Sequence, residues 1–350
     1  MKVTFRIGDF EIGKDNHVFI IAELSANHNQ NYDIAVQSLK AIKDCGADAV
    51  KLQTYTPDTL TIDSDKDYFK IQQGTIWDGT TLYQLYQKAY TPWEWQPKLK
   101  KLADELGLIC FSSPFDKTAV DFLEQMKVPA YKIASFEIVD LPLIEYVASK
   151  GKPIIISTGI ATEEEIKEAV DVCRRTGNNQ IALLKCTSEY PALIEDTNLK
   201  TIPAMAKKFN VVVGLSDHTL GTIVPVASTA IGAKIIEKHF ILDKRLGGPD
   251  VAFSLEPQEF KKMVYEVRQV EKSLGKISFE LTEKIGKSRS FARSLFIVKD
   301  VKAGEKFSDE NVRSIRPSSG LPPKYLKEIL GKKAKRNIER GTPLSWDLIE

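Results

Sequence analysis

The chain has 350 residues, 43% hydrophobic and 27% charged, proportions that exclude collagen-like, low-complexity and mostly disordered classes. No 18-residue apolar run offers a membrane span, the opening Met1-Lys2-Val3-Thr4-Phe5-Arg6 lacks an apolar signal core, and four scattered cysteines contain no C-x-x-C pair, so the expectation is a cytoplasmic protein without a disulfide framework. The net charge of +2 divides unevenly: residues 284–340 hold 16 Lys/Arg against 6 Asp/Glu, leaving 33 against 41 elsewhere, so a basic C-terminal stretch follows an acidic body.

In chain order, the first 16 residues set Gly8-Asp9 between apolar positions and predict a hairpin at the lower end of whatever follows. Short β-branched runs then alternate with amphipathic stretches. Residues 17–24, 49–55, 108–114, 130–135, 153–159, 181–188, 211–218 and 233–240 read as strands. Helical periodicity is clearest over 33–45, 93–106, 117–126, 163–176 and 257–274, where in the last Phe260, Met263, Val264, Val267 and Val270 fall at helical spacing. Thr162 ahead of Glu163-Glu164-Glu165 is an N-cap with acid in the first turn. Eight β/α units in about 260 residues predict an α/β fold, a TIM (β/α)8 barrel. A doubly wound sheet is the alternative, weakened because no G-x-G-x-x-G or G-K-[ST] is present.

One connection, 56–92, is too long for a barrel loop and carries Tyr68, Phe69, Trp77, Tyr83, Tyr86 and Tyr90. A functional lid and a packed surface excursion are both open readings. After Gly275 the alternation stops. Residues 276–289 read as a polar linker and 290–350 as a small, mostly-β domain of Gly- and Pro-punctuated strands, after a barrel domain over 1–275. The basic charge of this last part fits either a nucleic-acid tail or a module that docks on an acidic body or an anion. It has neither an aromatic-interleaved RNA motif nor a recognition helix, so no nucleic-acid partner is expected.

TIM-barrel sites are built at the C-terminal ends of the strands, and polar residues finish every strand here. Lys51, Lys132 and Lys185 lie inside otherwise apolar strands, where an ammonium needs an anionic partner or a shifted pKa. With the strand-end hydroxyls they describe a pocket for a compact polyanion, such as a phosphate plus a carboxylate. Alternation puts Lys51, Gln53 and Tyr55 on one face, and likewise Ser216 with His218 and Glu237 with His239. His218 and His239 end adjacent strands, roughly 5 Å apart laterally. Two imidazoles suit Mn2+, Mg2+, Co2+ or Zn2+ with positions left open for substrate. A Schiff-base lysine, Lys185 or Lys132, is the competing chemistry.

These residues carry a likeness. Ile21-Ala22-Glu23-Leu24-Ser25-Ala26-Asn27-His28, Lys51-Leu52-Gln53-Thr54, Tyr131-Lys132-Ile133-Ala134-Ser135, Cys186-Thr187-Ser188-Glu189-Tyr190-Pro191, Gly214-Leu215-Ser216-Asp217-His218 and Glu237-Lys238-His239-Phe240 together resemble the sialic acid synthase family. Its members condense phosphoenolpyruvate with an amino-sugar aldehyde. Through Phe291-Ala292-Arg293-Ser294 and Arg316-Pro317-Ser318-Ser319-Gly320, the last part resembles the antifreeze-like (SAF) domain that ends these enzymes. The resemblance implies His218 and His239 as ligands of a divalent metal (Mn2+, Mg2+ or Co2+). It implies Lys51, Ser113, Lys132, Ser135, Ser157, Ser188 and Ser216 as a phosphoenolpyruvate cradle and Glu23 as an acid/base group. Gln53, Tyr190, Asp250 and Arg316 are the implied sugar contacts, with Arg316 acting in trans in a domain-swapped homodimer. Where N-acetylneuraminate synthases tend to have Gly, Ser-Thr and Asn, this chain has Ser25, Ser112-Ser113 and Ser188. Those departures, with Gln53-Thr54-Tyr55-Thr56-Pro57-Asp58, resemble the branch of the family that builds pseudaminic acid from 2,4-diacetamido-2,4,6-trideoxy-altrose; N-acetylmannosamine and a legionaminic acid precursor are the alternative acceptors.

Overall fold

The computed structural model describes residues 3–13, 16–72 and 74–350; Met1 and Lys2, part of the opening stretch read above, lie outside the described residues. The chain divides into two units, Met1–Gly275 and Lys276–Glu350.

In the first unit an antiparallel hairpin, β1 (Thr4–Ile7) and β2 (Phe10–Gly13), precedes eight parallel strands. These are β3 (Phe19–Glu23), β4 (Ala49–Thr54), β5 (Ile109–Pro114), β6 (Tyr131–Ile133), β7 (Ile154–Ser157), β8 (Ile181–Cys186), β9 (Val212–Asp217) and β10 (Ile235–His239). Each pairs with the next, and β10 pairs with β3, so the sheet closes on itself as a TIM barrel. The strands are shorter than the runs read from sequence because their polar ends leave the ladder and turn into the mouth.

Local chemistry starts and stops the helices. Asn31 Oδ1 accepts the Asp33 and Ile34 N–H groups at the head of the helix Tyr32–Asp44. Thr162 and Glu165 form a reciprocal capping box for Glu163–Arg175, and a cap of this kind stabilises a helix by ~1 kcal/mol. The stretch 93–106 splits into a tight turn, Trp93–Trp95, and a helix, Gln96–Leu106, with Pro97 in the first helical turn where its missing N–H costs nothing. An outer apolar layer joins Ile20, Val50 and Ile236 of the sheet to Leu39, Leu99, Phe260 and Met263 of the surrounding helices.

The hairpin seals the lower end. Phe5, Ile7 and Ile12 are buried in one cluster with Phe19, Ile21, Ala49 and Phe111, residues from the first half of the barrel strands. Each such side chain contributes about 1.5–3 kcal/mol. Gly13 is required there: its φ is +101° and a Cβ would stand 2.6 Å from the Val3 carbonyl. At the opposite end, residues 56–92 form short helices Pro57–Leu60 and Leu82–Ala89 with a tight turn, Asp67–Phe69, between them.

The second unit has a short helix, Glu283–Arg289, within the stretch read as linker, then an antiparallel pair, β11 (Ser294–Ile297) and β12 (Val312–Ile315). Single bridges, such as Val301 with Ile338 and Lys306 with Lys333, extend the β structure around a core of Leu295, Ile297, Phe307, Val312 and Leu344. Among the described residues no helix is long and apolar enough to cross a membrane, and all four cysteines are free and buried.

Candidate active site

A cavity of about 560 Å³ opens at the C-terminal end of the barrel. Strand alternation decides what enters it. Lys51 and Gln53 of β4, Lys132 of β6, Ser157 of β7, Ser216 of β9, and Glu237 and His239 of β10 all line it, joined by Ser135, Tyr190, His218 and Asp250 from the loops. Three further expected residues stand just behind this wall. Glu23 is buried and pairs with Lys51, Nζ to Oε2 at 2.7 Å. The Ser113 hydroxyl accepts from Lys51 at 3.2 Å. Ser188 sits beside Ser135 across Gly159, where a Cβ would lie 2.1 Å from the Ser188 hydroxyl and 2.7 Å from that of Ser135. Arg316 belongs to the second unit, exposed just after β12.

Lys185 is placed differently from its expectation. Its neighbour Cys186 lines the cavity, whereas Lys185 does not; its Nζ donates to the Cys186 carbonyl at 2.6 Å. One step along a strand reverses the facing. Of the two lysines considered as imine formers, only Lys132 therefore faces the cavity.

The floor is a balanced set of buried charges. Lys51 Nζ is 3.7 Å and Lys132 Nζ 3.8 Å from the same oxygen of Glu237. Lys132 also donates to the Ser157 hydroxyl at 2.6 Å, and the Ser216 hydroxyl donates to Glu237 at 3.1 Å. Burial lifts Glu23 to about 7 against the pull of Lys51. Burial also pushes Glu237 up, but Lys132 and Lys51 outweigh it and hold this carboxyl below its ordinary value. Burial lowers Lys132, while for Lys51 the two carboxylates overcome burial and raise it. Two cations with two carboxylates can receive a polyanion by exchanging partners rather than by burying new charge.

His218 and His239 face each other at a ring separation of 5.3 Å. His218 Nδ1 lies 2.9 Å from the Thr187 carbonyl, an arrangement that puts the proton on Nδ1 and leaves the Nε2 lone pair free. His239 Nδ1 is buried with no hydrogen-bond partner, 3.7 Å from Asp250 Oδ2. Burial, helped by the positive charge of Lys51, pushes this imidazole well below its ordinary pKa, so it is neutral, as a ligand must be. Among the described residues no group of three or more His, Cys, Asp or Glu converges as a cation site. The imidazole pair alone fits a cation that keeps its other positions for water and substrate.

Sequence reasoning missed two features of this cavity. Glu137 lines it with Oε2 buried and unpartnered, and burial raises its carboxyl to about 7. Its only signal was its place just past a strand end. The second is an aromatic chain, Trp77–Tyr190–His218, with ring separations of 5.4 and 4.4 Å. Trp77 Nε1 donates to the Pro249 carbonyl at 3.0 Å, next to Asp250. Residues 56–92 thus form a roof on the cavity, which selects the lid among the two readings of that stretch.

A closed (β/α)8 barrel with its polar side chains gathered under a lid at the C-terminal mouth defines a TIM-barrel enzyme class. The NeuB family profile matches residues 38–279 and the SAF domain profile residues 292–350. The chain belongs to the NeuB, or sialic acid synthase, family. It is 52% identical over 339 residues to a pseudaminic acid synthase of Campylobacter jejuni, covering 97% of this chain and 98% of that one. Identity to an N,N'-diacetyllegionaminic acid synthase of Legionella pneumophila is 36% over 343 residues, covering 97% and 96%. The crystal structure of an N-acetylneuraminic acid synthetase from Leptospira borgpetersenii, in complex with citrate, is 30% identical with a TM-score of 0.73, covering 82% of this chain and 95% of that one.

Proposed function

We propose that this chain is a pseudaminic acid synthase, a transferase that forms a carbon–carbon bond. It joins phosphoenolpyruvate, 2,4-diacetamido-2,4,6-trideoxy-altrose and water into pseudaminic acid and phosphate. The observation that carries the chemistry is the convergence of two buried lysines, a ring of hydroxyls and an adjacent imidazole pair in one cavity. The acceptor assignment is supported by the fall in identity from the pseudaminic to the legionaminic and neuraminic relatives.

In this reading Lys51, Lys132, Ser113, Ser135, Ser157, Ser188 and Ser216 hold the phosphate and carboxylate of phosphoenolpyruvate, with charge-assisted hydrogen bonds from the two ammonium groups. Gln53, Tyr190 and Asp250 orient the ring-opened sugar so that its aldehyde carbon meets C3 of the enol. A divalent cation on His218 and His239, Mn2+, Mg2+ or Co2+, would supply Lewis-acid polarisation of the aldehyde oxygen. Attack by C3 with the enol π pair makes the new bond, the aldehyde C=O π pair passes to its oxygen, which takes a proton from Glu23 to become the new hydroxyl, and C2 is left as a cationic centre. Water adds to C2 as Glu23 accepts its proton. The tetrahedral intermediate then expels phosphate by cleavage of its C–O bond, and C2 becomes the ketone of the product. Arg316 completes the sugar site from a partner copy in a domain-swapped homodimer; a monomer in sedimentation would remove that last element. The four free, buried cysteines suit a reducing cytoplasm.

The test is isotopic. With 18O in the bridging position of phosphoenolpyruvate, the label should leave in phosphate and the product mass should show a nine-carbon acid. Label retained in the organic product contradicts C–O cleavage, and the absence of a nine-carbon product contradicts the synthase reading.

A further inference from the structure

We propose that the lid helix Leu82–Ala89 is the acceptor-selecting element, an apolar shelf for the methyl groups of a deoxygenated, diacetamido sugar. This rests on the acceptor reading above. Leu82, Leu85, Tyr86 and Ala89 follow the i, i+3, i+4, i+7 spacing of a single helix face. All four line the cavity, and no residue of this helix is fully buried. A stripe of this pattern ordinarily packs into a core; here it faces the space where substrate must lie.

The stripe is fixed in place from both sides. A capping box of Thr81 and Gln84 sets the start of the helix. The Tyr86 ring packs edge-on against Tyr55 at 5.7 Å, and Tyr55 packs in turn on Phe115 at 5.1 Å. The cavity therefore sets charges and hydroxyls on the barrel floor against hydrocarbon along this helix, while Lys70 and Thr75 add polar groups elsewhere on the roof. A sugar held between them directs its reacting aldehyde end to the floor.

The two acceptor types differ at the roof. The diacetamido-trideoxy sugar presents two acetamido methyls and a C6 methyl. N-Acetylmannosamine presents one acetamido methyl and places hydroxyls at C4 and C6, which would lose water on the shelf without gaining a partner. An apolar pocket discriminates against an added hydroxyl by about 100-fold, which sets the scale of the selectivity assigned to this helix.

The test compares kcat/KM for both sugars in the full-length protein and in Leu82→Gln and Leu85→Gln, with the KM for phosphoenolpyruvate measured alongside. The shelf predicts that kcat/KM for the diacetamido sugar falls by about tenfold or more while the phosphoenolpyruvate KM stays within about twofold. Leu82→Ala, which only removes methyls from a half-buried position, carries the same comparison if a glutamine variant does not fold. Folded variants whose kcat/KM for the diacetamido sugar stays within about twofold of wild type overturn the shelf, as does a parallel rise in the phosphoenolpyruvate KM. A wild-type protein that fails to use the diacetamido sugar at all overturns the acceptor reading instead, so the two failures are told apart.

Discussion

Lys51 Nζ and Glu23 Oε2 stand 2.7 Å apart with both side chains buried at the foot of the cavity. Burial and this pairing together give Glu23 two properties that the proposed water activation needs. Burial raises its carboxyl to about 7, near the working pH, while Lys51 and the amide of Gln53, at 3.0 Å, fix its direction. Glu23→Gln keeps the volume and removes the base. Turnover should fall by about 10²–10⁴ with a well-folded protein. Near-normal steady-state rates in this variant would take Glu23 out of the mechanism.

Two glycines separate binding from folding. At Gly159 a Cβ would meet the hydroxyls of Ser188 and Ser135 first and the Cys186 sulfur at 3.2 Å, side-chain atoms that can rotate aside, though the two hydroxyls then leave the proposed phosphoenolpyruvate cradle. At Gly214 it would meet the Ile235 carbonyl at 2.3 Å, rigid backbone of the neighbouring strand. Gly159→Ala should therefore raise the phosphoenolpyruvate KM by about tenfold with little change in Tm, whereas Gly214→Ala should cost several kcal/mol of stability, about 2–4 °C of Tm for each. Kinetics and thermal melts on the two variants check both halves.

Ser25 holds a φ of +45°, a conformation that non-glycine residues avoid. Its hydroxyl accepts from Gln53 at 3.0 Å, and its hydrogen bond to Asp250 draws that carboxyl down against burial, which raises it. The strain of about 1–3 kcal/mol is thus spent on joining two implied sugar contacts. Ser25→Gly relieves the strain and breaks the link. The acceptor KM should rise by about tenfold with Tm level or higher and the phosphoenolpyruvate KM unchanged. A variant that melts much lower with kinetics intact would make the serine purely structural.

His28 supplies a pH dependence of stability. It is buried, its Nε2 lies 3.0 Å from the Thr91 hydroxyl, and its ring meets Trp95 edge-on. Burial pushes its pKa from the ordinary 6.5 down to about 4. The unfolded chain takes up a proton on this imidazole between those values and the folded chain does not. The stability from the neutral imidazole is complete above pH 6.5 and is lost as pH falls toward 4, in total about 3 kcal/mol. Urea denaturation of His28→Gln at pH 7.5 and pH 5 should show a smaller drop than wild type, by about 2 kcal/mol. Equal drops would show that His28 titrates normally.

The barrel was legible because its signal repeats: eight β-branched runs, most followed by a helical stretch and each ending in polar residues. Placing side chains from alternation worked wherever the strand register was clear, as for Lys51 with Gln53 and for Glu237 with His239. Lys185 was expected in the pocket from its residue type alone, and one step of register gave the cavity to Cys186 instead. The lid was visible only as excess length. Its aromatics promised packing without naming partners, because the Trp77 link to Pro249 joins residues 172 apart. Glu137 was hidden for a similar reason, since a carboxylate past a strand end reads as surface until burial is known.

The central claim is most directly tested by phosphate release from phosphoenolpyruvate with Mn2+ or Mg2+ present and one acceptor at a time. The three acceptors are the diacetamido-trideoxy-altrose, N-acetylmannosamine and the legionaminic acid precursor. The account predicts rapid release with the first, slow or no release with the other two, and none with phosphoenolpyruvate alone. Release that is independent of acceptor, or fastest with N-acetylmannosamine, would contradict it.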